Sequence, residues 1–317
     1  MKKIKLIYLT LLIISSGCGG QSKNHDETDL KRSSTNHHNM VDNLNSAKEI
    51  ESLISTVDHR FKNFKVNESL KFSDKECQHL CDSLKIKPWI KADFDGNGYN
   101  DLLIVGNWGD HAVICLMDSG EDKFYIKPIT RRSFQDCTFP VVQVIGQTPV
   151  IINYSRSEPD WRNHKTERLL IADTLVFQFG DFVEFNHLPA KHTIERIEYS
   201  TGPCFGSCPI FEMTINSDRK ATFKAEEYNK MKGNFSSIID TSNYNLLIHL
   251  LNYIDFVKLK KNYAVNWTDD QACTLKITYD NGKLKEIHDY GLIGTFGLNR
   301  IYDILFKLCE NQKWGKQ

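Results

Sequence analysis

The sharpest chemical signal in this 317-residue chain is the acidic run Asp93-Phe94-Asp95-Gly96-Asn97-Gly98-Tyr99-Asn100-Asp101. Oxygen-bearing side chains fall at loop positions one, three, five and nine, with glycine at six. A hard cation such as calcium takes about six to eight oxygens, and alternate residues of a tight loop can all point inward to supply them. Asp93, Asp95, Asn97 and Asp101, with the backbone carbonyl of Tyr99 at position seven, are therefore candidate ligands for a structural calcium ion. Position twelve is Ile104, where a helix-flanked calcium loop carries a bidentate Glu. Leu102–Val105 has strand character instead, so helices are not expected beside the loop. A metal-free turn competes with this reading, because Asp, Asn and Gly favour turns for backbone reasons of their own. Asp110 and His111, just past the following strand, either line a site or form an ordinary surface pair.

A second signal is the turn Gly202-Pro203-Cys204-Phe205-Gly206-Ser207-Cys208-Pro209. Three chemistries are open to it. A structural disulfide suits a turn stiffened by two prolines, bridging Cys204 and Cys208 locally or reaching Cys273 and Cys309 within the Cα separation limits. Redox catalysis needs one thiol with a lowered pKa at a helix start or beside a cation, and the three-residue gap here is longer than a thioredoxin-like one. A closed zinc site needs four thiolates, which an oxidising compartment works against. Thr268, Asp269 and Asp270 precede the Cys273 strand, where Asp269 is either a functional carboxylate or a turn residue.

The first residues set the compartment. Lys2, Lys3 and Lys5 precede an apolar run from Leu6 to Ile14, followed by Ser15-Ser16-Gly17-Cys18. A basic segment, a short apolar segment and small residues describe a secretory signal. The run is far short of the roughly 20 apolar residues that span a bilayer. With cysteine directly after the small residues, it resembles a bacterial lipoprotein signal. That resemblance implies cleavage after residue 17, acylation of Cys18, and a membrane-attached protein of the cell envelope, at the outer membrane or the periplasmic face. An ordinary signal peptide cut nearby is the rival. The other eight cysteines divide evenly, Cys77, Cys81, Cys115 and Cys137 early and Cys204, Cys208, Cys273 and Cys309 late, as disulfide pairs within two domains would. Basic and acidic residues number 40 each, and loss of the leader lysines leaves the mature chain mildly acidic. Nucleic-acid binding, which wants a basic patch, is not expected.

Elements that must position these residues follow from periodicity. Residues 18–43 are polar and read as a flexible tether, in which His37-His38 is a metal contact or an idle pair. Ile50, Leu53, Ile54, Val57 and Phe61 at helical spacing predict a helix within 44–64. A second helix starts at Ser73 with Glu76 as a capping box, and carries Cys77, Leu80, Cys81 and Leu84. After Pro88 come short β-rich runs, LLIVGNW, HAVICLM, KFYIKPI, VVQVI, PVIINYS, RLLIAD, LVFQFG and FVEFN, with Gly180-Asp181 as one turn. These make a β-rich domain over 44–187. Residues 193–315 predict strands at 194–199, 210–215, 221–225, 273–279 and 285–290, with helices at 241–256 and 298–312. Asp280-Asn281-Gly282 is a strong hairpin turn. Strands and helices are segregated, so the fold class is α+β.

Two further resemblances rest on these residues. The stretch ADFDGNGYNDLLIVG resembles the FG-GAP (VCBS) repeat, in which such a loop binds calcium between strands. It occurs once, so a small β-fold carrying one such loop is implied rather than a propeller, which needs several four-stranded blades. The segment GPCFGSCP, with Ile210–Ile215, Tyr263, Thr268-Asp269, Gly282-Lys283 and Asp303, resembles an uncharacterised bacterial domain family with a GPCFGxCP signature, which implies a domain and no mechanism. No G-x-S-x-G, H-E-x-x-H, P-loop or G-x-G-x-x-G occurs. The expected role is non-enzymatic, binding an envelope protein or glycan or scaffolding. An envelope-polymer hydrolase or a thiol oxidoreductase using Cys204 and Cys208 is the alternative.

Overall fold

A computed structural model describes residues 37–121, 123–131, 137–156 and 170–317; the leader and Cys18 lie outside the described residues. Asn39 and Ser46 each close a capping box, accepting from the backbone three residues on while Asp42 and Glu49 reach back, and so start α1 (Met40–Asn43) and α2 (Ala47–Val57). A short strand β1 (Lys65–Val66) leads to α3 (Lys75–Leu84). The cap of α3 is Asp74, which accepts from the backbone of Glu76 and Cys77, one residue later than the expected Ser73. Residues 37–43 correct the end of the expected tether. His37 stacks on Tyr99, and Val41 is buried. Composition hid this because the segment is held by polar caps and one apolar side chain.

Four strands follow: β2 (Trp89–Ala92), β3 (Asp101–Trp108), β4 (Asp110–Asp118) and β5 (Phe124–Pro128). With β1 they form an antiparallel sheet in which β1 and β2 both pair with β3. Period-two alternation sorts β3 and β4 between two cores. Leu102, Ile104, Ile114 and Leu116 face α2, with Ile50, Ile54, Phe61 and Phe64. Leu103, Val105, Val113, Cys115 and Met117 face α3 and the next sheet. Gly106 lets β1 approach, since a Cβ there would stand 2.4 Å from the Lys65 carbonyl oxygen.

The next sheet is the meander β6 (Thr138–Ile145), β7 (Thr148–Arg156), β8 (Leu170–Gln178) and β9 (Asp181–Glu184). Leu170–Asp173 and Leu175–Gln178, from two runs expected as separate strands, belong to the single strand β8, because β-branched Thr174 between them continues the pleat. The β8–β9 turn is Phe179-Gly180, both at positive φ as a tight two-residue hairpin requires, one position before the expected pair.

The C-terminal region adds β10 (Ile194–Thr201), β11 (Phe211–Asn216), β12 (Lys220–Ala225), β13 (Gly233–Ile238), α4 (Thr241–Tyr253), β14 (Asn262–Ala264), β15 (Ala272–Tyr279), β16 (Lys283–Tyr290), α5 (Phe296–Asn311) and β17 (Gly315–Lys316). Its eight strands run in the order β14-β16-β15-β10-β11-β12-β13-β17, antiparallel except for β14 against β16. Residues of β12 alternate between exposed and buried. The buried set of this sheet packs with Leu247, Leu250 and Leu251 of α4 and Leu298, Ile301, Ile304, Leu305 and Leu308 of α5. The molecule is thus α+β and mostly β.

Candidate functional site

The 93–101 loop links β2 to β3 at the edge of the first sheet. Gly96 and Gly98 both take positive φ, which bends the backbone over the acidic side chains. Asp93 accepts from the backbone N–H groups of Gly96 (2.8 Å), Asn97 (3.1 Å) and Gly98 (2.9 Å). Asp95 accepts from the Asn97 backbone at 3.1 Å. Asp101, the first residue of β3, is fully buried and accepts from Phe94 and Asp118 backbone N–H groups, each at 2.8 Å. These contacts bring one carboxylate oxygen from each of Asp93, Asp95 and Asp101 within 4.8 Å of one another.

That spacing fits calcium. Oxygens at about 2.4 Å from an ion stand up to about 4.8 Å apart across it, and an all-oxygen carboxylate set is what a hard cation prefers. No ion pair joins these three carboxylates to a cation among the described residues. Burial pushes Asp101 up to about 8, with the Asp95 and Asp93 charges adding to it against the Asp118 and Phe94 hydrogen bonds. Burial likewise pushes Asp95 up to about 6, where Asp93 and Asp118 add and the Asn97 backbone opposes.

Asn97 turns its amide nitrogen toward Asp95 (3.2 Å) and the Asp118 carbonyl (2.5 Å), and its oxygen accepts from the Tyr99 backbone. Ligation by Asn97 therefore needs this amide to turn over. Two residues missed in the sequence buttress the loop. Asp118 is buried and accepts from Gly120 N–H and from the Asn39 side chain, which also donates to the Asn100 carbonyl. Nothing in the local pattern marks them, since they reach the loop from elements 21 and 61 residues away.

The structure forms two of the expected disulfides, Cys77–Cys137 and Cys204–Cys208. Cys81, Cys115, Cys273 and Cys309 are buried free thiols, which corrects the expectation that all eight pair. Cys115 and Cys273 lie on central strands that face packed apolar side chains, where no second cysteine comes into register. Burial raises all four thiols, Cys273 to about 12, so they are poor nucleophiles. The 60-residue span of Cys77–Cys137 ties α3 to β6 and restrains the unfolded chain by about 4 kcal/mol, against about 2 kcal/mol for the local Cys204–Cys208 ring. In that ring Phe205 donates its N–H to the Asp269 backbone carbonyl at 2.9 Å, while the Asp269 carboxylate accepts from the Thr268 hydroxyl at 3.2 Å, and Phe205 itself is 88% exposed.

A cavity of about 550 Å³ opens where β4, β5, β9 and α5 meet. Asp110 and His111 both reach it, but the His111 ring is buried against Phe72 and Phe139, with Nε2 2.6 Å from the Thr138 carbonyl oxygen. Asp303, on α5, stands solvent-accessible in the wall. Desolvation by the surrounding cavity wall pushes its carboxyl up, with Asp181 adding and Arg300, Lys307 and Lys127 opposing.

Residues 195–309 match the family model of a domain of unknown function, DUF6438. The match takes in the Cys204–Cys208 turn, α4 and most of α5. No similarity to a curated protein or to a solved structure was found.

Proposed function

We propose that this chain is a lipid-anchored protein of the bacterial envelope, a non-enzymatic binding or scaffolding module whose 93–101 loop is organised by one structural calcium ion. The observation that carries the ion is the convergence of Asp93, Asp95 and Asp101 oxygens within 4.8 Å. The likeness of the loop and its following strand to an FG-GAP repeat supports the same reading, here on an open sheet of five strands. When bound, the ion would neutralise the carboxylates and hold the loop against β3; Asp93, Asp95 and Asp101 are the residues that would hold it, with the Asn97 amide and Tyr99 carbonyl as further ligands.

Calorimetric titration of EDTA-stripped, dialysed protein tests this. We expect one calcium ion per chain and much weaker magnesium binding, since magnesium demands a tighter octahedral shell. Asp95→Asn, which keeps the side chain's shape and removes one charge, should weaken calcium by at least about tenfold. No heat with calcium, or equal binding by the variant, would overturn the ion.

The envelope address rests on the leader and Cys18. Among the described residues no helix is long and apolar enough to cross a membrane, and the proposed attachment is lipid. Stable anchoring takes more than one acyl chain. Intact-mass analysis of protein extracted from envelopes should give a chain that begins at Cys18 and carries several acyl groups; a retained leader would refute the address.

A further inference from the structure

We infer that residues 37–42, where the N-terminal segment enters the folded region, are a regulatory part of the calcium site: they dock on the 93–101 loop, so that ion binding and docking strengthen each other. This coupling rests on the calcium reading above. The His37 N–H donates to the Gly98 carbonyl at 2.8 Å, and its ring stacks on Tyr99 at a centroid distance of 5.0 Å. The Asn39 amide donates to the Asn100 carbonyl at 2.8 Å, and the Asn100 amide donates in return to the Asp42 carboxylate at 2.7 Å. Gly98 and Asn100 flank Tyr99, whose carbonyl is a proposed ligand. Docking therefore holds the peptide planes on either side of that carbonyl. Asp118, fully buried, carries the coupling deeper. Its carboxylate accepts from the Asn39 amide at 2.8 Å, its backbone N–H donates to Asp101 at 2.8 Å, and its carbonyl accepts from the Asn97 amide at 2.5 Å. One residue is thus bonded to the docked segment and to two proposed ligands.

The segment is held mainly by these polar contacts, with Val41 as its one buried apolar side chain. A hydrogen bond contributes little once the exchange with water is counted, and ordering the segment costs conformational entropy. Docking is therefore sensitive to how firmly the loop presents its carbonyls. Asp93, Asp95 and Asp101 bring carboxylate oxygens within 4.8 Å of one another, and when ionised without a cation they repel, which loosens the loop. Calcium removes that repulsion and fixes the acceptors that His37 and Asn39 use. By linkage the effect is reciprocal: docking raises affinity for the ion by the same factor that the ion favours docking. The link from Cys18 reaches the folded region at His37, so release of residues 37–43 lengthens it by up to about 25 Å. Calcium in this way sets the reach of the module from its proposed anchor.

Hydrogen exchange of the mature protein, followed by mass spectrometry in EDTA and in saturating calcium, reads the docking, and calorimetric titration of the same samples reads the ion. Amides of residues 37–43 should exchange at least about fivefold more slowly with calcium, while those of α5 keep their rates. Reciprocally, Asn39→Ala should weaken calcium by about fivefold. His37→Ala, which keeps the backbone hydrogen bond and removes the stack on Tyr99, should weaken it by a smaller factor. Melting temperatures in EDTA confirm that both variants fold. Equal exchange at 37–43 with calcium bound, or calcium affinity unchanged in both variants, would overturn the coupling and leave the ion standing. A lower melting temperature for Asn39→Ala with unaltered affinity would likewise reduce Asn39 to a structural cap. Absence of calcium binding by the wild type would overturn the ion and the coupling together.

Discussion

Asp95 is the residue at which the metal-free and metal-bound protein should respond to pH with opposite signs. Its carboxyl is raised to about 6 by burial and by Asp93 and Asp118, against an ordinary value of 3.8. The folded state therefore holds a proton that the unfolded chain has released. Stability from this group is complete below about pH 4 and is lost as pH rises through about 6. Asn at this position does not titrate. In EDTA, Asp95→Asn should gain on the wild type by about 1–2 kcal/mol between about pH 4 and 7, a figure already discounted for partial solvent screening. The proposed calcium ion would bind the ionised loop, so at saturating calcium and pH 7 the order should reverse and the wild type should melt higher. Thermal melts of both proteins across that range, with EDTA and with calcium, measure the crossing. A wild type that gains on the variant in EDTA as pH rises would contradict the burial argument, and an unchanged order in calcium would contradict the ion.

At the scale of elements, what the sequence shows clearly is what local pattern controls. The alternation in β12 and the helical spacing of α5 are set by one buried face each, and both elements lie where that periodicity puts them. The acidic turn at 93–101 is equally legible as a turn before a strand, since its Asp, Asn and Gly residues are contiguous. Polar contacts across long separations were not. Asp118 and Asn39 support the loop from other elements, and neither has a local signature. The start of α5 shows the same limit. Thr295 caps it locally, but Glu184 of β9 also accepts the Phe296 and Gly297 N–H groups, placing a carboxylate at the positive end of a 16-residue helix. No pattern within 295–311 announces a partner more than a hundred residues earlier. The short strands β14 and β17 were invisible for a related reason: their two or three residues carry no period, and pairing alone makes them strands. The cavity is assembled from four elements, so its residues appear in sequence as unrelated surface polar groups.

The whole molecule is tied together by the meander β6–β9, whose two faces serve different cores. Ile151, Leu175 and Phe182 pack with α3 and the first sheet. Their neighbours Val150, Val176 and Val183 point the other way and join the core of α4, α5 and the eight-stranded sheet. Glu184 on α5, Arg300 on the Phe179 carbonyl and Arg131 over the Phe296 ring at 3.9 Å add polar and cation–π contacts across the same junction. The described residues accordingly cluster as one compact unit, although the family match delimits 195–309 within it. Removing apolar contacts from this layer should weaken both cores at once. Val183→Ala deletes two buried methyl groups and should cost about 2 kcal/mol. Because the deleted contacts lie in the shared layer, the mature protein and the variant should each melt in a single transition, with calorimetric and van't Hoff enthalpies equal. Near-ultraviolet and far-ultraviolet signals should shift together to the lower midpoint. Two resolved transitions, only one of them moved by Val183→Ala, would show that the meander belongs energetically to one core and that the junction is a docking contact between independent folding units.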